Sequence, residues 1–429
     1  MQPLLAAGAA VLILLAGNCS QREGQMAGPS PNLPVKVEPI LISRLGAEHF
    51  GNAIYRRGRE GPRIAASGNR ILEWPIRASA PVMEVVQPSS QSFQNGACAM
   101  DVNGDGIDEM IVSRTAEDQR GTDLLWFEEI PGQSRWKEHL IAHLVKGENE
   151  EGLHDIQPME TAVSGKPARG VVIVANRRHL YWYEIPGDPV QPWKEHLIAD
   201  LGGFGATAAQ SGLVLGDVAG NGRSDVVCGN FWAECPADPA GNSWEVHRYS
   251  RWDERATPNL PGLREWVLET RFGGMNQLGL ADMDGDGSLD IIASEAEIPE
   301  ARVGVFCRTR GDFLSPWKET LVDSGLYCPH SLVAADVNTD GRPDIIVGEM
   351  TAGGWWFPRN PGPKLYLYLN EGDLKFQKFV LHTGWGLHMM GMIPRPNPDR
   401  IFVFAADEIQ SWYEDMSTTV AGWTISPKK

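Results

Sequence analysis

The stretch DMDGDGSLD places Asp282, Asp284, Asp286 and Asp290 within nine residues. Carboxylates that close repel one another unless a cation or a proton-transfer task holds them together. Oxygen-bearing residues stand at positions 1, 3 and 5, Gly at 6 and a carboxylate at 9. That is the first part of a loop that wraps a hard cation, the Gly allowing the sharp turn. A strand-like DIIAS follows, and position 12 is not Glu. The competing chemistry is a carboxylate pair serving as acid and base on a glycosidic bond.

Repetition decides between the two. DVNGDGIDE begins at Asp101, DVAGNGRSD at Asp217 and DVNTDGRPD at Asp336, so the four loops lie 116, 65 and 54 residues apart. Copies carried on separate structural units sit far apart, and at most one could serve a reaction. A bound cation would also remove the free acid that catalysis needs. The pattern therefore points to structural cation sites. Ala219 and Asn221 weaken the Asp217 loop, where little or no metal is expected.

The elements that position these loops keep the same beat. WKEHLI occurs at Trp136 and Trp193, WEVHRY at Trp244 and WKETLV at Trp317, with a remnant WTI at Trp423. Between the two phrases lie DLLWFEEIPG, HLYWYEIPG and GGWWFPRNPG, aromatic strands ending in turns. One unit then reads as four short strands, with a period of roughly 55–60 residues, the pattern of a propeller blade. Abundant Gly (47), Pro (30) and Trp (15) suit many short strands joined by turns. Seven units are expected, at 38–90, 91–146, 147–200, 201–268, 269–325, 326–384 and 385–429. The fold class is all-β, a seven-bladed propeller of four-stranded blades over 38–429.

The D-x-[DN]-x-D-G-x-x-D loop ahead of a DIIVG strand resembles the FG-GAP/VCBS repeats of integrin-like propellers. The resemblance implies Ca2+ within the blades, at about three structural sites. One would use Asp101, Asn103, Asp105 and Glu109 with the Ile107 carbonyl. A second would use Asp282, Asp284, Asp286 and Asp290 with the Ser288 carbonyl. The third would use Asp336, Asn338, Asp340 and Asp344 with the Arg342 carbonyl. More distantly, the alternation of WYE-IPG, WKEHLI and H-S-L-x-x-x-D is similar to the propeller part of aldos-2-ulose dehydratase, whose cupin portions have no counterpart here.

Ligand chemistry is expected at the opposite end of the inner strands. Six residues before each loop Asp is the start of such a strand, roughly 20 Å from the cation at about 3.3 Å per residue. Asn95, Ser211, Asn276 and His330 stand there, and the units without an acidic loop offer His154 and His388. His49 or Asn52 would come from the first blade. Tyr327 and Trp385, each three residues before a His, and Phe231 and Trp232, expected in a loop after a second strand, add aromatic faces suited to carbohydrate. On an enzyme reading, His154, His330 or His388 would abstract a proton in a carbohydrate lyase or dehydratase. The alternative for these histidines is hydrogen bonding between blades, or a transition-metal site built on His330 and His388. Arg177, Arg178 and His179 form a basic turn, more consistent with a solvated turn than with a uronate site. His139, His196 and His247, each three residues after a Trp on the outermost strand, are expected to pack the blade edge.

The chain begins with an apolar run, Leu4–Gly17, that reads as a signal segment over 1–19, followed by a Pro/Gly-rich tether over 20–37. Cys19 stands where a lipoprotein would be cleaved and lipidated. The expected location is exported: periplasmic, anchored at the outer membrane, or extracellular, with membrane contact only through a lipid on Cys19. A formal charge of −17 argues against nucleic acid and anionic membranes as partners. A carbohydrate or a cell-surface protein is expected instead, bound by a monomer. Of six Cys, five remain without Cys19, an odd number; Cys228 and Cys235 flank GNFWAE as either a disulfide or two buried thiols.

Overall fold

The computed structural model describes residues 29–45, 52–76, 81–117, 120–145, 153–175, 178–204, 211–254, 276–308, 317–351, 359–393, 400–407 and 418–428. The signal segment, Cys19, His49 and Arg177 lie outside these residues.

The first strand, β1 (Val35–Arg44), stands apart from the strands that follow it. The next four are β2 (Asn52–Gly58), β3 (Gly61–Ser67), β4 (Ile71–Pro75) and β5 (Met83–Val86), which make one sheet. A second sheet holds β6 (Phe93–Met100), β7 (Glu109–Thr115), β8 (Gly121–Glu128) and β9 (Lys137–Val145). The third is β10 (Leu153–Val163), β11 (Lys166–Ala175), β12 (His179–Glu184) and β13 (Lys194–Asp200). The fourth is β14 (Leu213–Gly216), β15 (Asp225–Cys228), β16 (Phe231–Glu234) and β17 (Glu245–Arg248). β18 (Asn276–Ala281), β19 (Asp290–Glu295), β20 (Pro299–Cys307) and β21 (Lys318–Tyr327) form the fifth. β22 (Ser331–Ala335), β23 (Asp344–Gly348), β24 (Lys364–Asn370) and β25 (Phe376–Thr383) form the sixth. β26 (His388–Ile393), β27 (Ile401–Ala406) and β28 (Thr419–Pro427) complete the count.

Neighbouring strands in each sheet are antiparallel, and the first strand of each touches the first strand of the next around the ring, β26 returning to β2. Gly279 shows how close these inner strands come: a Cβ there would lie 2.8 Å from Leu332 Cδ2 on the following blade. The middles of the second strands are apolar because both faces are covered by neighbouring blades. DIIVG of β23 is buried at every position. The core is therefore a set of seams. One joins Val172, Leu180 and Trp182 of the third blade to Val226, Cys228 and Trp244 of the fourth.

The seventh sheet runs β26-β27-β28-β1, with Val35 opposite Pro427 and Arg44 opposite Thr419. The N-terminal strand thus supplies the outermost strand of the last blade, and the ring closes on itself. This corrects the unit boundaries read from the repeat. The first blade starts at Asn52, and residues 38–44 belong to the seventh. β1 also begins at Val35, inside the segment read as tether.

Two local expectations change as well. Phe231 and Trp232 are not in a loop but open the third strand of their blade, both buried. Cys228 and Cys235 are free thiols, as are Cys98, Cys307 and Cys328, all buried. No helix among the described residues is long and apolar enough to cross a membrane.

Candidate functional site

The acidic loops link the inner strand of a blade to its second strand, and their backbones repeat. Gly at position 6 has a left-handed φ of 86° at Gly106, 88° at Gly287 and 86° at Gly341, where a side chain would be strained. Its amide donates to the position-1 carboxylate at 2.9 Å in all three loops: Gly106 to Asp101, Gly287 to Asp282, Gly341 to Asp336. The position-9 carboxylates are buried and fasten the loop to the blade. Glu109, Asp290 and Asp344 accept from the amides of Val102, Met283 and Val337 at 2.8, 2.8 and 3.0 Å. Burial pushes the Glu109 carboxyl up to about 7, and those of Asp290 and Asp344 up to about 6.

The loops differ in their carboxylate clusters. Oxygens of Asp282, Asp284 and Asp286 lie within 4.8 Å of one another, a donor set that fits a hard cation. In the Asp101 loop the Asp105 carboxylate is paired with Arg59, and in the Asp336 loop Asp340 is paired with Arg342. The Asp217 loop has no carboxylate at position 3 or 5, and Asn221 donates instead to Glu234 Oε1 at 3.0 Å.

At the other end of the ring, every blade presents the start of its inner strand. Asn52 opens β2, fully buried, its amide donating to the Gln94 carbonyl at 3.0 Å. Asn95 lies within β6 and Asn276 opens β18, but their side chains lie outside the described residues. Ser211 is buried just ahead of β14. His154 follows the first residue of β10, and its Nδ1 lies 2.9 Å from Asp155 Oδ2. That same oxygen accepts from the Gly212 amide at 3.2 Å, joining the third and fourth blades.

His330 and His388 are both fully buried, on the sixth and seventh blades, with ring centroids 4.0 Å apart and planes inclined by 30°. His330 Nδ1 is 3.4 Å from Gln277 Nε2, and its Nε2 is 3.3 Å from Glu297 Oε1. The structure thus brings two of the three candidate histidines together and leaves His154 with a separate carboxylate partner. Neither His330 nor His388 belongs to a group of three metal-capable side chains among the described residues.

The aromatic candidates have other surroundings. Trp385 is half-buried in the seam between the last two blades, 4.4 Å from His382 and 5.7 Å from Trp423 by ring centroids. Tyr327 ends β21, its amide donating to Glu349 Oε1 at 3.0 Å. Arg178 is paired with Asp200. His139, His196 and His247 stack on Trp126, Trp182 and Trp232 at 4.0, 4.7 and 4.4 Å, on the outermost strands.

A second tier of polar groups escaped the sequence reading. Asn230, Glu295 and Glu349 each stand five residues after a position-9 carboxylate, at or just past the end of the second strand. Glu295 binds the Arg302 guanidinium at 2.6 and 2.9 Å. Glu349 is buried, which raises its carboxyl above the ordinary range despite the amides of Tyr327 and Lys364. The constant offset is the sequence signal that could have found them.

Residues 282–347 match the family described as FG-GAP-like repeat. No curated protein matches the chain. Among solved structures the chain is similar to Chaetomium thermophilum Sqt1 bound to the N-terminus of the ribosomal protein L10. The identity is 9% and the TM-score 0.45, over 91% of this chain and 100% of that one. It is also similar to a mutant Aleuria aurantia lectin in complex with alpha-methyl-L-fucoside. There the identity is 14% and the TM-score 0.38, over 82% of this chain and 96% of that one. At these levels neither likeness says what the present chain binds.

Proposed function

With FG-GAP-like repeats set in a seven-bladed ring, we propose an exported, calcium-stabilised propeller that binds a carbohydrate at the mouth formed by the starts of its inner strands. One observation carries this reading. Asn52 Oδ1, Ser211 Oγ, Ser331 Oγ and both side-chain polar atoms of Asn230 are buried there without a hydrogen-bond partner among the described residues. Buried polar atoms in native proteins are paired in the great majority of cases. Hydroxyls and amides donate as well as accept, which matches the mixed donors and acceptors of a sugar better than a charged or apolar ligand.

Catalysis is the weaker reading. A general base must reach the proton that it removes. His330 and His388 stack on each other, His330 also lies against Gln277 and Glu297, and His154 is held by Asp155. Calcium is proposed first at Asp282, Asp284 and Asp286, whose convergence fits it. Export rests on the apolar run Leu4–Gly17.

A glycan array followed by calorimetric titration tests the mouth. The Asn230→Ala variant should bind the best glycan at least about tenfold more weakly, the scale of one lost hydrogen bond in a buried site. Equal affinity would move the binding site away from the mouth. Ultraviolet-absorbing unsaturated products from keto-sugars or uronate glycans would replace the binding reading with a lyase or dehydratase.

A further inference from the structure

The Asp101, Asp282 and Asp336 loops share a backbone but not the group that meets their position-5 carboxylate. In each, Oδ1 of that Asp accepts from the amide two residues on: Asp105 from Ile107 at 2.9 Å, Asp286 from Ser288 at 2.7 Å, Asp340 from Arg342 at 2.9 Å. Oδ2 is then the oxygen left to face a cation. In the second blade it accepts from Arg59 at 3.1 Å, a residue just past β2 of the neighbouring blade. In the sixth it accepts from the Arg342 guanidinium and from Asn338 Nδ2 at 2.9 Å. Asp286 Oδ2 meets no guanidinium among the described residues.

Position 3 follows the same division. It is Asn103 and Asn338 where a guanidinium is present, and Asp284 where none is. Besides the buried carboxylate at position 9, two loops therefore hold two carboxylates and one guanidinium, and the third holds three carboxylates. Each arginine also has a second oxygen partner, an ion pair in one case and a hydrogen bond in the other. Arg59 Nε lies 3.7 Å from Glu129 Oε1, and Arg342 Nε donates to the Asn370 carbonyl at 2.9 Å. A guanidinium stays charged at any ordinary pH and forms charge-assisted bonds to carboxylate. A divalent cation entering either loop must displace it against like-charge repulsion.

We propose that Arg59 and Arg342 stand in for the cation in the second and sixth blades, so that Asp282–Asp290 is the one cation-dependent clip of the three. In the second blade the substitute also joins two blades, because Arg57 holds Asp108 at 2.6 Å beside it. The inference rests on the calcium reading for the Asp282 loop alone, and one experiment separates the two.

The experiment is calorimetric titration of EDTA-stripped protein with Ca2+, comparing the wild type with R59Q, R342Q and the double variant. Wild type should take up one equivalent, each single variant two and the double variant three, and D286N should lose the wild-type equivalent. Thermal melts with Ca2+ present check that each variant is folded, and the single variants serve if the double one is not. Three equivalents in the wild type would overturn the proposal, as would variants that gain none. A wild type that binds none and a double variant that binds two would uphold the arginine substitution while removing calcium from the Asp282 loop.

Discussion

Asp225 shows what burial does to a loop carboxylate when little or no cation is expected beside it. It is fully buried, and its oxygens accept from the Ala219 and Cys235 amides at 2.7 and 2.8 Å. Those amides favour the ionised form, but burial outweighs them and raises the carboxyl from its ordinary 3.8 to about 6, with the Asp217 charge adding to the shift. The folded state then holds a proton that the unfolded chain releases. Its contribution to stability is full below about pH 4 and is lost as the pH rises through about 6. Urea midpoints of the wild type and Asp225→Asn, measured in EDTA across that window, should show the wild type losing ground to the variant as pH rises. Glu109, Asp290 and Asp344 shift the same way in both proteins, so the difference isolates Asp225. Parallel curves would mean that the amides, not burial, set this group.

Along one strand pair, the phrase WKEHLI becomes a stacked unit. Trp182 on β12 is fully buried and covered by the His196 ring of β13, inclined by 20°, while His196 Nε2 meets Glu184 Oε2 at 2.9 Å. Trp126, His139 and Glu128 repeat the arrangement one blade earlier, with the His–Glu distance at 3.0 Å. His196→Ala loses a ring stack and a hydrogen bond, each of order 1 kcal/mol, and should cost about 1–2 kcal/mol in urea denaturation. Leu197→Ala, next along the strand but 56% exposed, should cost no more than about 0.5 kcal/mol. Equal losses would show that the stack adds nothing to the strand. This beat was legible because a strand and its neighbour lie close in sequence. GNFWAE was misread for the opposite reason: Cys228 pairs directly with Phe231 across Gly229 and Asn230, a turn too short to separate loop from strand by composition. The polar groups at the starts of the inner strands were half legible. Counting back from the acidic loops found Ser211 and His330, but Gln277, Glu297 and Asp155 join them only after the blades are set side by side.

Ring closure is the property of the whole molecule that no local pattern announces. The repeat assigned residues 38–44 to the unit that follows them, yet they pair with residues 419–424 near the far end of the chain. Val35 and Ile42 enter two different seams, one between the sixth and seventh blades and one between the seventh and first. β1 therefore holds the ring shut from its outer edge, and without it β28 would present an unpaired strand edge open to other chains. Ile42→Ala, at 2% exposure, should lower stability by about 2–5 kcal/mol, whereas Lys36→Ala on the exposed side of the strand should change it by less than about 0.5 kcal/mol. Deleting residues 29–45 is the larger test. A propeller opened at one seam behaves more like a linear array, in which each unit is held mainly by its neighbours and the end units come loose first. Calorimetry should then show the intact chain melting in one transition, and the truncated chain melting earlier and more broadly, with self-association on gel filtration. A truncated chain that melts with the same midpoint and width would show that the seventh blade holds the ring with three strands.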